Sequence, residues 1–504
     1  MASRHREHLA GYLAARKPQS GTESRAESNR GAQNGSRDVP VLFTSSVRTQ
    51  ATPANTKSRA TYLRARKPLH LPKGTGKAHV NDLPDELLLR IFNNLDIDDL
   101  LVASQVCARW NPVANDNSRW SGFYQKYGSK LRQEAGQNDL TYKQLCIKGS
   151  CGRRDKMCAR VLKTINPFTG LPRDSEKALK SAGVYFQMSM TDQDDNEITF
   201  RSQDVFYHQM SASVRWFDLQ MPAINSIKKL SFIAMHPLFY TNEGKAMANS
   251  PFQKSLLLSV KFDWQKWLKS NKPAGFDDMV NIYSLPDGLA LATWKSDGGL
   301  GYVSLGLHCN LLVKRCLQGS TLSPYDTDVH KVTLDDIDSA YGLHDYQCTI
   351  DIRTLRNSIW SQQFNSLACK KESLESGFAC LPLIRKDHHC DHVILQKKIQ
   401  FPWKTDAFRG IVENVVWIDV VVLDERKEPF WCVSSLCRVS SEKNKNNFDF
   451  DYTSDDAYKM SFMDERGKLE ALMSMTDDGL YFMTQLDLKL SLDAINKWFG
   501  TSYR

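Results

Sequence analysis

From Val184 to Leu490, apolar runs of strand length follow one another, each cut by a short stretch of turn formers. This pattern constrains the fold more than any other feature, because period-two runs bounded by Gly, Asp and Asn read as strands joined by tight turns. VYFQMSM and EITF flank the acidic TDQDDN and predict a hairpin. SVRWFDLQM and KKLSFIAMH are further strands. LALATW and LGYVSLGLH are separated by Asp297-Gly298-Gly299, a strong hairpin signal. ENVVWIDVVVL, DERKEP and FWCVSSLCRV repeat the theme, as do YKMSFM, DERG and KLEALMSM. The chain closes on SLDAINKWFG, where Ser491 fits an N-cap and Gly500 a left-handed C-terminal residue. That helix should pack Leu492, Ile495 and Phe499 on the sheet. Residues 181–504 thus predict one large, mainly antiparallel β domain with a few helices. A division of it into two would fall at the polar stretch Gln363–Gly377.

The segment before this domain is built differently. LPDELLLRIFNNL (Leu83–Leu95) places Leu87, Ile91, Leu95, Leu88 and Phe92 within a helical arc of about 140°. Pro84 suits the first helical turn, and Asp85 and Glu86 suit the positive end of the helix dipole. DIDDLLVASQV predicts a second helix, capped by Asp96 or Asp98, with Leu100, Leu101 and Val106 on its apolar face. A third, from Cys107, presents Trp110 and Val113, and Pro112 should shorten or kink it. Trp120 follows. About 40 residues is too few to hide so much apolar surface alone. These helices either pack on the rest of the chain or dock on a partner.

The order Leu-Pro-x-Glu-Leu-x-x-x-Ile-Phe-x-x-Leu, then Leu-Leu-x-x-x-x-Val-Cys-x-x-Trp, then Trp resembles the F-box family. Its positions here are Leu83, Pro84, Glu86, Leu87, Ile91, Phe92, Leu95, Leu100, Leu101, Val106, Cys107, Trp110 and Trp120. The resemblance implies a three-helix module that docks on the adaptor Skp1 and, through it, joins cullin-1 and a RING subunit in a ubiquitin ligase. The docking residues it implies are Leu83, Pro84, Leu87, Ile91, Phe92, Leu95, Leu100, Leu101, Val106, Cys107 and Trp110. INPFTGLP, YGLHDYQ, WKTDAF, DERKEPFWCVSS and INKWFG are similar to stretches of one family member, so the resemblance extends over most of the chain.

The fold class expected is therefore α+β: an F-box over 77–125, a helical connector over 126–180 and the β-rich, target-recognising domain over 181–504. Residues 1–76 carry 14 Lys and Arg against 4 Asp and Glu, a net of +10, whereas the whole chain carries +9. The basic character belongs to this arm, which is poor in large apolar residues and expected to be disordered. RARKPLHLPKGTGK (Arg64–Lys77) reads as a solvated basic linker, with a nuclear-import or polyanion-binding patch as the alternative, and no nucleic-acid partner is expected.

No apolar run is long enough to span a membrane, and the first 20 residues have no secretory core. The 12 scattered cysteines form no C-x-x-C pair, which fits free thiols in a reducing compartment, cytoplasmic or nuclear. KDHHCDH (Lys386–His392) is the one dense metal-capable cluster, but neighbours on a strand point to opposite faces, so a polar loop is expected. DQDDNE lacks the central glycine of a calcium loop, and GGLGYVSLG lacks the helix of a phosphate cradle. No catalytic cysteine or triad is discernible. The chain is expected to be a non-catalytic subunit without cofactor, presenting unknown protein targets for ubiquitination. The alternative is an adaptor that holds Skp1 without ligase output.

Overall fold

Pro84, with ψ of 152°, keeps the chain extended at the N-cap, so the first helix starts one residue later than Pro84 itself suggested. A computed structural model describes residues 80–127, 141–217, 221–237, 252–317, 343–443 and 456–503, with 96, 262, 265, 268–270, 371–372 and 477 excepted. The basic arm and Asp96 lie outside the described residues. Helices α1 (Asp85–Phe92), α2 (Ile97–Ala103), α3 (Trp110–Ala114) and α4 (Asn117–Tyr127) form a small module. Helix α3 begins at Trp110 rather than Cys107 and is only five residues long, as Pro112 demands. Trp120 sits on α4, fully buried, and donates from Nε1 to the Ala114 carbonyl at 3.0 Å.

Helix α5 (Tyr142–Leu162) is the link to the rest. Thr141 and Gln144 close a reciprocal cap at its start. Its first turns place Cys146 and Ile147 in the core of the helical module, and its last turns place Cys158 and Val161 in a separate core of the β region. One helix, about 31 Å long, therefore belongs to both cores. The INPFTGLP turn and α6 (Ser175–Ala182) follow.

The first ten strands are β1 (Tyr185–Asp192), β2 (Glu197–Arg201), β3 (Asp204–Tyr207), β4 (Ser211–Trp216), β5 (Ile227–Pro237), β6 (Phe252–Lys261), β7 (Gly275–Phe276), β8 (Val280–Leu285), β9 (Leu289–Trp294) and β10 (Leu300–His308). They make a four-stranded sheet ordered β2-β1-β5-β6 and a six-stranded sheet ordered β3-β4-β10-β9-β8-β7. A short helix, α7 (Cys309–Leu312), ends this half. The second half contains β11 (Leu343–Arg353), β12 (Ser358–Cys369), β13 (Leu374–Glu375), β14 (Phe378–Ile384), β15 (Val393–Ile394), β16 (Gln400–Lys404) and β17 (Arg409–Glu413). It continues with β18 (Val415–Leu423), β19 (Pro429–Lys443), β20 (Asp456–Met463), β21 (Gly467–Met475), β22 (Tyr481–Ser491) and α8 (Leu492–Phe499). Its large sheet runs β12-β11-β18-β19-β20-β21-β22-β14-β13, with β15 also on β22, while β16 and β17 form a separate hairpin. All of these strand pairs are antiparallel.

The chain is thus α+β, with a helical segment ahead of a large antiparallel region. The hairpins expected at TDQDDN, Asp297-Gly298-Gly299, DERKEP and DERG are all present. The polar stretch Gln363–Gly377 lies among strands of the large sheet. It carries the end of β12, paired with β11 up to Cys369, and β13, paired with β14 at Leu374 and Glu375. Helix α8 is capped by the Ser491 hydroxyl, and Gly500 adopts a φ of 70° that ends it; Leu492, Ile495 and Phe499 are buried against the large sheet.

The six-stranded sheet lies between two cores. Leu289, Leu291, Val303 and Leu305 face the four-stranded sheet and α6. Ala290, Ala292 and Tyr302 face Trp417, Phe401 and Leu436 of the second half. The layers approach so closely that a Cβ on Gly306 would run into the Trp417 ring. A buried ion pair pins this contact. Arg353 on β11 donates from Nε to Asp419 Oδ2 at 2.6 Å, and both side chains are completely buried. Arg353 also reaches Ser213 at 2.9 Å and Ser211 at 3.0 Å on β4, while Ser211 and Ser434 each donate to Asp419 at 2.6 Å. Every oxygen of the carboxylate is occupied, the condition under which a buried pair is tolerated.

Candidate partner-docking surface

The apolar arc of α1 splits in two. Leu88 and Phe92 turn inward and meet Leu100, Leu101, Val113, Trp120 and Phe123 in the core of the module. Leu87 and Ile91 turn outward and remain 44% and 47% exposed. On the same module Val102 is 38% and Val106 58% exposed, and Pro84 is exposed as well. The pattern of spacing alone treats the two sides alike, since a 140° arc holds both a core stripe and its outer flank.

Of the residues expected to dock on a partner, Phe92, Leu100 and Leu101 therefore hold the module together from inside and present no surface. Pro84, Leu87, Ile91 and Val106 are on the outside. Leu83, Leu95, Cys107 and Trp110 are half-buried at the rim. The Trp110 ring stands edge-on to Phe92, centroids 5.2 Å apart, so it supports the core with one face. Leu89, outside the arc, also packs on this core. Val102 belongs to the exposed set and escaped the sequence reading, because its place on α2 is legible only when the inward side of that helix is known.

A brace that no spacing rule foretold fixes the geometry. Arg109 pairs with Asp85 at 2.9 Å and donates to the Leu83 carbonyl, tying the start of α1 to the start of α3. Exposed pairs add little stability, but this one holds Leu83 and Pro84 beside Trp110. At the opposite end Lys143 of α5 bonds to Asn115, and burial brings its ammonium down to about 8. Side chains on α5 thus complete the module from beneath, beyond the stretch that carries the sequence resemblance.

The other chemistry considered earlier is accounted for locally. His388 to His392 form a turn in which His388 contacts Asp391 at 2.9 Å and the His392 ring meets the Arg385 carbonyl at 3.2 Å. No metal-competent group of three ligands occurs among the described residues. In DQDDNE, Asp192 accepts from the backbone of Asp194 and Asn196 at 2.9 and 2.8 Å, an ordinary hairpin turn. Burial pushes the thiols of Cys146, Cys158 and Cys369 up to about 11 and those of Cys309, Cys316, Cys432 and Cys437 up to about 12. They stay protonated at neutral pH and are poor nucleophiles. No described helix is long and apolar enough to cross a membrane.

Residues 80–126 match the family described as F-box-like. The chain carries an F-box-like domain. Over most of its length it is also similar to proteins named F-box only protein 15. The Homo sapiens protein is 29% identical over 84% of this chain and 86% of its own length. That of Bos taurus is 28% identical over 90% of this chain and all of its own length, and that of Mus musculus is 25% identical over 83% and all of its length. Several of the stretches noted in the sequence as resembling a family member converge in space. In INPFTGLP the Phe168 carbonyl accepts from Thr349 at 2.9 Å, and Leu171 packs on Leu423. Asp424, which opens DERKEP, accepts from Trp498 of INKWFG at 2.9 Å, and Lys427 pairs with Asp345 of YGLHDYQ at 2.8 Å. Four of the five stretches thus meet around one turn.

Proposed function

We propose that this F-box protein is the target-recognition subunit of a Skp1–cullin-1–F-box ubiquitin ligase, acting in the cytoplasm, the nucleus or both. The observation that carries the proposal is the set of exposed apolar side chains Leu87, Ile91, Val102 and Val106, which stand outside the module's own core on the segment that matches the F-box-like family. Isolated exposed apolar residues are ordinary, but several on one small module mark a contact surface. Skp1 would cover them, and cullin-1 and the RING subunit would follow through Skp1. The chain's own contribution is proximity: it holds a target protein near a charged conjugating enzyme, raising effective concentration without chemistry of its own.

Leu87→Asp with Ile91→Asp tests the surface without touching the core. Burying two such side chains is worth about 3–6 kcal/mol, so capture by purified Skp1 should weaken on the order of a hundredfold or more, with an unchanged melting profile. Undiminished capture would remove the assignment. Cullin-1 should co-assemble with the Skp1-bound wild type; Skp1 bound without cullin-1 would reduce the protein to an adaptor with no ligase output.

A further inference from the structure

The four-stranded sheet has one face in the core and one turned away from it. Phe186, Met188, Leu230 and Phe232 point inward. Their neighbours on the other face line up in register. Tyr185, Met235 and Lys254 share one row; Arg201, Gln187, Ile233 and Leu256 share the next. Two rows further on, Thr191 and Lys229 stand beside Lys261. Leu256, 52% exposed, and half-buried Ile233 are the apolar residues of the second row, with half-buried Tyr185 in the row before, while the third row is Ser189, Ser231 and Ser259. Across β5 and β6 the charges on this face are all cationic, Lys229, Lys254 and Lys261, with Arg201 and Glu197 on β2 and the acids of the TDQDDN turn between β1 and β2.

Lysines on the edge strand β6 could serve only to discourage stray strand pairing. Lys229 cannot be explained so, because β5 lies inside the sheet. It stands directly opposite Lys261, and like charges directly across a strand pair are destabilising. Neither lysine forms an ion pair among the described residues. An unrelieved cationic pair on the same face as an exposed leucine is arranged for a ligand that carries both carboxylates and an apolar side chain.

We infer that this face is the target-docking surface, and that its occupant is an extended segment of a partner protein carrying acidic residues around a large apolar one. At about 3.4 Å per residue, the Leu256 row lies roughly 7 Å from Lys254 and roughly 14 Å from the Lys229–Lys261 row. The matching segment has an acid two residues to one side of its apolar anchor and another four residues to the other side. This deepens the reading of the chain as a recognition subunit and rests on it, but it uses none of the residues of the helical module.

Panning a random twelve-residue peptide library displayed on phage against the full chain tests the assignment. Enriched peptides should combine Asp or Glu with Leu, Ile or Phe. A synthetic copy of the most enriched peptide should bind at least tenfold more weakly to K254E/K261E and to the milder K254A/L256S, and more weakly as salt is raised. Both variants change exposed side chains and should melt no lower than the wild type, K254E/K261E higher because it relieves the Lys229 repulsion, and the Leu87→Asp, Ile91→Asp chain should bind the peptide unchanged. Enrichment without acidic residues, or binding that survives both variants, would overturn the inference. So would a single-stranded oligonucleotide, or self-association of the chain, that these variants abolish, since either would assign the face to a different occupant. Loss of Skp1 capture with peptide binding intact would strike the proposed function alone.

Discussion

At the scale of single residues, Arg353 and Asp419 show how burial and charge are reconciled. Removing one member leaves the other charged, buried and unpaired. Arg353→Ala is therefore expected to cost about 3–5 kcal/mol, read as a lower urea midpoint, and the double change Arg353→Met, Asp419→Leu should recover part of it. A double variant no more stable than Arg353→Ala would count against the pair as the cause. Neither residue stood out in the sequence, where Arg353 is one basic residue among many and Asp419 interrupts an apolar run. Leu87 and Leu88 teach the same lesson from the other direction. They are adjacent, chemically identical and equally well placed in the arc, yet one is 44% exposed and the other 1%. Periodicity finds the stripe; only the neighbouring helices decide which half of it is inside.

Among the elements, hairpins were the most legible, because their turn chemistry is local: Asp297-Gly298-Gly299 and DERKEP carry their own instructions. Helix α8 was equally legible from Ser491 and Gly500. What local sequence could not convey was the order of strands, since β11 lies beside β18 rather than β10 and β14 lies beside β22. Helix α5 was expected only as part of a connector. Its sequence contains Gly152 near its middle, where an added Cβ would meet nothing within 4 Å. No close packing demands a glycine there. Gly152→Ala should therefore stabilise the chain by about 1 kcal/mol through helix propensity, seen as a higher urea midpoint at unchanged slope. A lower midpoint would mean that the glycine answers a constraint outside the described contacts.

For the molecule as a whole, the balance of buried titrating groups sets its response to acid. Burial brings His208 down to about 4, with the Arg353 guanidinium assisting, His236 down to about 3, with Arg154 assisting, and His308 down to about 4. The unfolded chain takes up these protons first, below about 6.5. The stability these neutral rings contribute is thus complete above that pH and is lost as pH falls toward their folded values, by up to about 1.4 kcal/mol per unit for each ring. Asp351 works in the opposite sense, since burial raises its carboxyl to about 6, so the folded chain gains a proton there and offsets one ring. Urea midpoints should decline between pH 7 and pH 5; a flat or rising profile would show that these rings are not held neutral. The other whole-molecule property follows from α5, whose two ends are embedded in different hydrophobic interiors. Neither end can rotate about the helix axis without dragging the other. Inserting one residue midway would turn everything beyond it by about 100°, so in the proposed ligase a bound target would be aimed away from the conjugating enzyme even though both grips on the complex remained sound.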